Sequence, residues 1–565
     1  MKYHPALCCC LLAFSMLAAR DSSGQTPTMG RQIDAVFGKY ISSGTPGCVV
    51  SVVQNGSVLY ARAYGLANLE WALPNTLDTV FDIGSVSKQF TAFAILLLAQ
   101  DGRISLDDDI RKYLPEIPNY GKVIRIHHLL NHTSGLRNYT DLFDLAGIPE
   151  IDLTTDQDAL NLVARQKKLN FAPGEEFLYS DTNFFLLSLI VERVTGKSLR
   201  QFAGERIFDP LDMTSTHFHN DTTMVVNHRA TGYKPLGHGG FAIDMSNFEE
   251  LGDGSVMTTV EDLKKWDENF YTGRVGGMNL IRQMEEGGRL NNGTVNLYAK
   301  GLVIDQYRGL RRVQHAGEWV GYRAGLTRYP DQRTSFITLC NTIGDVFPTN
   351  LNQALADIVL QDAFRSSVAA AHSVSDSTES SNKPANDQAS EFQGVYWDSL
   401  HGYFRHFVAG HGRLYREDQG DLFALETEGP GKFRDVESGT RFEFGIGNGV
   451  SNVQERQEEG EHLTLIKVPG PTAGQDLSAF AGSYVSDELN VTWTLIVRDG
   501  RLVRTQYLYP DQALRPAFED AFSGDLSEDT YLLHFQRDST GHVTGFAVST
   551  DMIRPTLTFT RVQGR

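Results

Sequence analysis

A chain of 565 residues is too long for one ordinary hydrophobic core, so two to four domains are expected. Its 41% hydrophobic and 21% charged residues fit a soluble globular protein. The formal charge of −18, with no basic stripe, argues against a general nucleic-acid binder.

Residues 1–24 read as a signal peptide. Lys2 is a short positive start, and Ala6 to Ala19 is an uncharged apolar run too short to span a bilayer comfortably. Cleavage after Ala19 or Gly24 predicts an exported chain, periplasmic or secreted, with no stable membrane insertion. A lipid anchor on Cys8, Cys9 or Cys10 fits less well, since all three lie inside the apolar run. Cys48 and Cys340 remain, each in a strand-like run. In an oxidising compartment they either pair or stay as two buried thiols, and no register is readable to decide.

Gly30 to Ser42 has the spacing of a helix with Ile33, Val36, Phe37 and Tyr40 on one face. Asn55-Gly56 between Val-rich runs predicts a hairpin. Phe81 to Phe90 reads as a turn followed by the first turn of a helix, and Phe90 to Ala99 is apolar enough to be buried on all sides. Asp101-Gly102 stops it. Ile124 to Leu136 predicts a short helix ended by Gly135, and Asp156 to Leu211 is mostly helical. Strands return at Leu302 to Ile304, Leu310 to His315, Gly321 to Tyr329 and Thr334 to Cys340, before a helix over Asn350 to Phe364. Strands at both ends with helices between them predict one antiparallel sheet flanked by helices, an α/β (α+β) domain over 30–365. Its first and last strands would then be neighbours.

Residues 366–390, rich in Ser, Ala, Asp and Asn, read as a linker. The remainder reads as all-β and contains a repeat. Phe392-x-Gly394-x-Tyr396 recurs as Phe480-x-Gly482-x-Tyr484, and Gly412-Arg413-Leu414 as Gly500-Arg501-Leu502, at one common offset. Two small all-β domains of similar fold are expected, over 391–468 and 477–565.

Ser85 and Lys88 are three apart, so on a helix they share a face and touch. A hydroxyl beside an amine at a helix start is one way to build an activated nucleophile. Alone, Ser-x-x-Lys is weak, since a chain of this length holds about one or two by chance at average usage. The apolar helix behind it would carry Lys88 into a buried place, where a lysine tends toward the neutral form. The histidines lack metal-ligand spacing, and no cofactor is expected.

Gly84-Ser85-Val86-Ser87-Lys88-Gln89-Phe90 resembles the nucleophile segment of penicillin-recognising serine hydrolases related to class C β-lactamases. Further segments follow in the family's order: Ile126 to Leu136, Pro173-Gly174-Glu175-Glu176-Phe177-Leu178-Tyr179-Ser180-Asp181-Thr182-Asn183, Gly252 to Leu263, and His315-Ala316-Gly317. The resemblance covers about 30–365 and implies a β-lactamase/transpeptidase-like domain. It also implies roles. Ser85 attacks a carbonyl and forms an acyl-enzyme. Tyr179, its phenol pKa lowered by nearby positive charge, is the general base. Lys88 relays or stabilises between them, and His315 faces the site. The backbone N–H groups of Ser85 and Glu318 form the oxyanion hole, and Asp181, Asn183 and Gly317 contact substrate.

Two departures bear on substrate. Asp181 stands where the family's tyrosine motif has Asn, with Asn183 as a displaced amide. His315 stands where β-lactamases have Lys, the form seen in D-aminopeptidase and esterase-like relatives. Two barrel-like β domains after the catalytic one resemble the three-domain D-aminopeptidases. The expected activity is cleavage of amides of D-amino-acid-containing peptides. β-Lactam or ester hydrolysis is the alternative, and a catalytically silent cell-wall peptide-binding module a further one.

Overall fold

The computed structural model describes residues 27–365 and 389–562, apart from 39–40, 42–43, 345, 419–420, 437, 448–449, 457–461, 473, 507–509 and 527–529. The expected signal peptide and nearly all of the expected linker lie outside the described residues.

Six antiparallel strands form the central sheet, in the order Val303–Tyr307, Leu310–Trp319, Tyr322–Tyr329, Thr334–Cys340, Cys48–Gln54, Ser57–Ala63. The first strand of the chain lies beside the last strand of the domain, with Cys48 opposite Cys340. Asn55 and Gly56 turn the hairpin with φ of 51° and 76°, the left-handed pair such a turn needs. Alternate residues of the strand Cys48–Gln54 feed two cores: Val49 and Val53 face the helical lobe, while Val50 and Val52 face the helices Pro27–Phe37 and Pro348–Val359. Burial on both faces explains why this strand reads as a continuous apolar run.

The register settles the choice left open for the cysteines: Cys48 and Cys340 form a disulfide. It closes a loop with a sequence separation of 292 residues. Because a long loop loses much entropy when tied, Cys48→Ser with Cys340→Ser is expected to cost about 2–5 kcal/mol. The check is a thermal melt of both chains: the wild-type midpoint falls with reductant, and the double variant's does not.

The helix Lys88–Gln100 is buried from Lys88 through Leu98, as its all-round apolar character requires. One expectation is corrected. The helix at Ile126–Leu130 ends well before Gly135, which lies in the following loop against the carbonyl of Phe171.

The strands from Gly394–Asp398 to His462–Val468 close an eight-stranded antiparallel barrel. A nine-stranded sheet follows, with Gln512–Ala513 at one edge and Arg515–Phe518 at the other. Only Leu514 separates these two strands in sequence, so the second barrel is nearly closed. The repeat has a structural meaning. Tyr396 and Tyr484 are buried in the first strand of each unit, and Leu414 and Leu502 are buried after glycine turns at Gly412 and Gly500.

The barrels attach differently. The second shares one apolar core with the catalytic domain, and the Trp493 indole N–H donates to the carbonyl of Leu145 at 3.2 Å. The first keeps its own core and touches the second through Trp397 and Phe518. Its link to the catalytic domain is polar: His401 lies 2.6 Å from Asp398 and 3.3 Å from Glu176, just ahead of Tyr179. Burial opposes charge on His401, but hydrogen bonds to Asp398 and Glu176 outweigh it and hold the imidazolium up to about 9. A raised folded pKa gives stability that is complete below the free value near 6.5 and is lost as pH rises through about 9. The first barrel should therefore loosen between those limits. Proteolysis of its seam should accelerate with pH in the wild type and be flat across that window in His401→Gln.

Candidate active site

Ser85 sits on a 3₁₀ turn, Gly84–Ser87, that runs into the buried helix Lys88–Gln100. The turn is pressed against the strand Leu310–Trp319. Gly84 has φ +47°, and a Cβ there would come within 2.8 Å of the Glu318 backbone nitrogen. A Cβ on Gly317 would come within 1.9 Å of the Ile83 carbonyl oxygen. Two glycines thus let nucleophile turn and strand meet backbone to backbone, and put the Glu318 amide beside Ser85. The strand Val303–Tyr307 pairs only as far as Gln314, so residues 315–319 form an open edge on that side.

The expected contact between Ser85 and Lys88 is present, with Lys88 Nζ donating to Ser85 Oγ at 2.8 Å. Nζ also donates to Asp181 Oδ1 at 2.7 Å and to the Asp253 carbonyl at 2.7 Å. Three acceptors match the three protons of an ammonium, so Lys88 is arranged to donate. Asp181 stands as the counter-charge to this buried lysine, and the two form an ion pair. The Lys88 side chain is fully buried, and its ammonium lies 4.9 Å from the centre of the Tyr179 ring.

His315 lines the same cavity, but both ring nitrogens are engaged. Nδ1 faces the Ala316 carbonyl at 2.5 Å, so it carries the proton. Nε2 then accepts from the Tyr298 hydroxyl at 2.9 Å. Burial, with the charge on Lys88, pushes His315 down to about 3, so the ring is neutral at physiological pH.

Asn183 is not brought to the cavity, which corrects its expected substrate contact. It is buried; its amide oxygen accepts from Ser134 at 2.5 Å and its NH₂ faces His132 Nδ1 at 3.0 Å. The local cause is helical geometry: Asp181 opens the helix Asp181–Thr195, so two residues on the side chain turns inward. His132 stacks on Tyr179 with ring centres 4.3 Å apart, so this buried trio backs the tyrosine rather than meeting a ligand. Gly317 likewise packs on Ile83 and acts through close approach.

Sequence reading included Asp253 in the segment Gly252 to Leu263 but gave it no role; it sits between two glycines. Its Oδ2 accepts from the Tyr139 hydroxyl at 3.1 Å, while Oδ1 is buried with no hydrogen-bond partner. Burial, then the nearby Asp181 carboxylate, raise Asp253 to about 7 against the opposing pull of Lys88. A charged residue flanked by glycines was the available signal.

Ser85, Tyr179, Asp181, Asp253, His315 and Glu318 all face one cavity of about 800 Å³. The opposite wall comes from the first barrel, through Arg405, Arg416 and Arg434, and the second adds Asp551 and Met552. The arrangement offers a serine hydroxyl, a fixed cation beside it, an adjacent phenol, and backbone amides at a strand edge. Those are the parts needed to attack a carbonyl and hold its oxyanion.

Comparison with known proteins places the chain in a family. Residues 31–360 match the family model described as Beta-lactamase. A D-aminopeptidase of Brucella canis is 27% identical over 548 residues, covering 92% of this chain and 96% of its own. Penicillin-binding protein 4* of Bacillus subtilis is 31% identical over 320 residues, 54% of this chain and 70% of its own. Among solved structures, the octameric penicillin-binding protein homologue from Pyrococcus abyssi is 23% identical with a TM-score of 0.56, covering 78% of this chain and 99% of its own. Likeness at that identity speaks to fold alone. The matched segment takes in both the nucleophile turn and the strand facing it, and the chain belongs to the beta-lactamase family of serine hydrolases.

Proposed function

We propose that this serine hydrolase acylates on Ser85 and cleaves amide bonds of short D-amino-acid-containing peptides outside the cytoplasm. The observation that carries the reading is the Lys88 ammonium, held by Asp181 and the Asp253 carbonyl and donating to Ser85 Oγ. Ser85 Oγ attacks the carbonyl carbon as Tyr179 takes its proton, and Lys88 favours the phenolate that accepts it. The amides of Ser85 and Glu318 bind the oxyanion that develops. Collapse expels the amine, which takes the proton back from Tyr179, and water releases the acyl group by the same steps in reverse order of partners.

Two features favour D-peptide amides over the alternatives. His315 is neutral, so the strand edge offers no cation for a β-lactam carboxylate. The similarity to a D-aminopeptidase covers 92% of this chain and so reaches into both β domains. The disulfide and the apolar start of the chain support export.

A fluorophosphonate probe should label the wild type and leave Ser85→Ala unlabelled; label on the alanine chain would remove Ser85 as nucleophile. Turnover of D-Ala-p-nitroanilide, nitrocefin and p-nitrophenyl acetate should then rank amide first. Nitrocefin ranking first would replace the reading with a β-lactamase.

A further inference from the structure

The catalytic wall of the cavity is rich in carboxylates, among them Asp141, Asp181, Glu250 and Asp253, while the first barrel contributes three arginines together with Asp418 and Glu455. Two of the three are already matched. Arg405 makes paired bonds of 3.0 Å to Glu455 and reaches Asp551 at 3.4 Å. Arg416 donates to Asp435 and Asp418, each at 2.9 Å.

Arg434 differs. It lines the cavity, is half-buried, and its side chain makes no hydrogen bond or ion pair to any described residue. Its Nε is buried and unsatisfied. Glu426, opposite it on the neighbouring strand, is exposed and forms no ion pair with it. A buried guanidinium N–H without an acceptor is costly, and the cost is recovered when an anion arrives. Thr440 lines the same wall. Its hydroxyl oxygen accepts from Ser438 at 2.9 Å, and its own proton is given to no described residue. Guanidinium and hydroxyl together suit one carboxylate.

No other cation in the cavity competes for that role among the described residues. Lys88 is held by Asp181 beneath Ser85, and His315 is neutral. We propose that Arg434, with Thr440, is a subsite for a carboxylate at the end of the substrate remote from the scissile bond. The β domain would then select substrates by their far charge, not only by size. This rests on the peptide-cleaving reading above and adds to it the charge of the substrate's distal end.

The test compares matched substrates on the full chain. One pair is a short D-alanyl peptide ending in a free carboxylate or in a carboxamide. The other is an N-succinyl or N-acetyl D-alanyl p-nitroanilide. The first pair places the carboxylate on the leaving side, the second on the acyl side. The wild type should favour the carboxylate member of one pair by at least about tenfold in kcat/KM, as one charge-assisted contact would give. Arg434→Gln should reduce that ratio to near one, and Arg434→Lys, which keeps charge but loses the two-pronged geometry, should keep part of it. The lysine chain carries the test if the glutamine chain does not fold. A wild-type ratio near one in both pairs, or a ratio unchanged in Arg434→Gln, overturns the proposal. If the wild type cleaves none of the four, the peptide-cleaving reading fails instead. Labelling rates of Ser85 with paired carboxylate and neutral fluorophosphonates then read Arg434 without turnover, by the same ratio.

Discussion

Lys88→Met is expected to lower kcat/KM by about 10³-fold or more, with a smaller but measurable loss of stability. The methionine fills the space of the lysine stem but removes the donor to Ser85 Oγ and the charge beside Tyr179. Losing help to proton transfer and to the developing charge together accounts for that order of magnitude. Breaking a buried pair also leaves Asp181 without its cation. About 3 kcal/mol is expected, at the low end because the Asp181 side chain keeps 17% of its surface in solvent. Single-turnover acylation and urea unfolding separate the two losses. A chain destabilised as stated but with full activity would make Lys88 a structural residue only.

The partner substitution reads differently. Asp181→Asn keeps an oxygen for Lys88 but removes the carboxylate that helps to raise Asp253. Asp253 should then ionise more easily and take over as counter-charge. The expected result is a changed ranking of substrates with little loss of fold. Any pH–rate midpoint near 7 that belongs to Asp253 should move downward. A large fall in the melting temperature would instead make Asp181 structural.

Arg137→Met carries the second large effect, on the seam between catalytic domain and second barrel. The Arg137 side chain is fully buried and donates to Glu488 at 2.8 Å, Thr556 at 2.9 Å and Gln166 at 2.5 Å. Glu488 also accepts from the Lys167 backbone N–H at 2.6 Å. Removing the arginine leaves a carboxylate inside the seam with one donor fewer and no cation. A loss of about 3–5 kcal/mol is expected. Because the second barrel shares its apolar core with the catalytic domain, the two should melt together. Calorimetry should show one lowered transition for both in Arg137→Met. Two separated transitions would mean that the shared core does not couple them.

What was legible in the sequence had short-range or strongly patterned causes. Asn55-Gly56 and the apolar run after Lys88 specify local geometry, and the sheet follows from strands at both ends of a helical stretch. The repeat at Tyr396 and Tyr484 announced two similar units. What escaped has long-range causes. No periodicity tells that Asn183 will turn toward His132 and Ser134. Nor does any local pattern bring Arg434, Arg416 and Arg405 across a domain boundary to face Ser85. Asp253 fell between, being visible in sequence as a charge among glycines but without a partner to give it meaning.

The Cys48–Cys340 bond has a mechanical consequence. Ser85, Lys88, Tyr179, Asp181, Asp253, His315 and Glu318 all lie between those two cysteines in the chain. Tension applied through the segments before Cys48 and after Cys340 passes across one covalent link and bypasses everything it encloses. Pulling would strip the flanking helices and the barrels first, taking the barrel wall of the cavity with them, and leave the elements that carry these seven residues unloaded. In a chain pulled at either end, the residues around Ser85 lie on the slack side of that link.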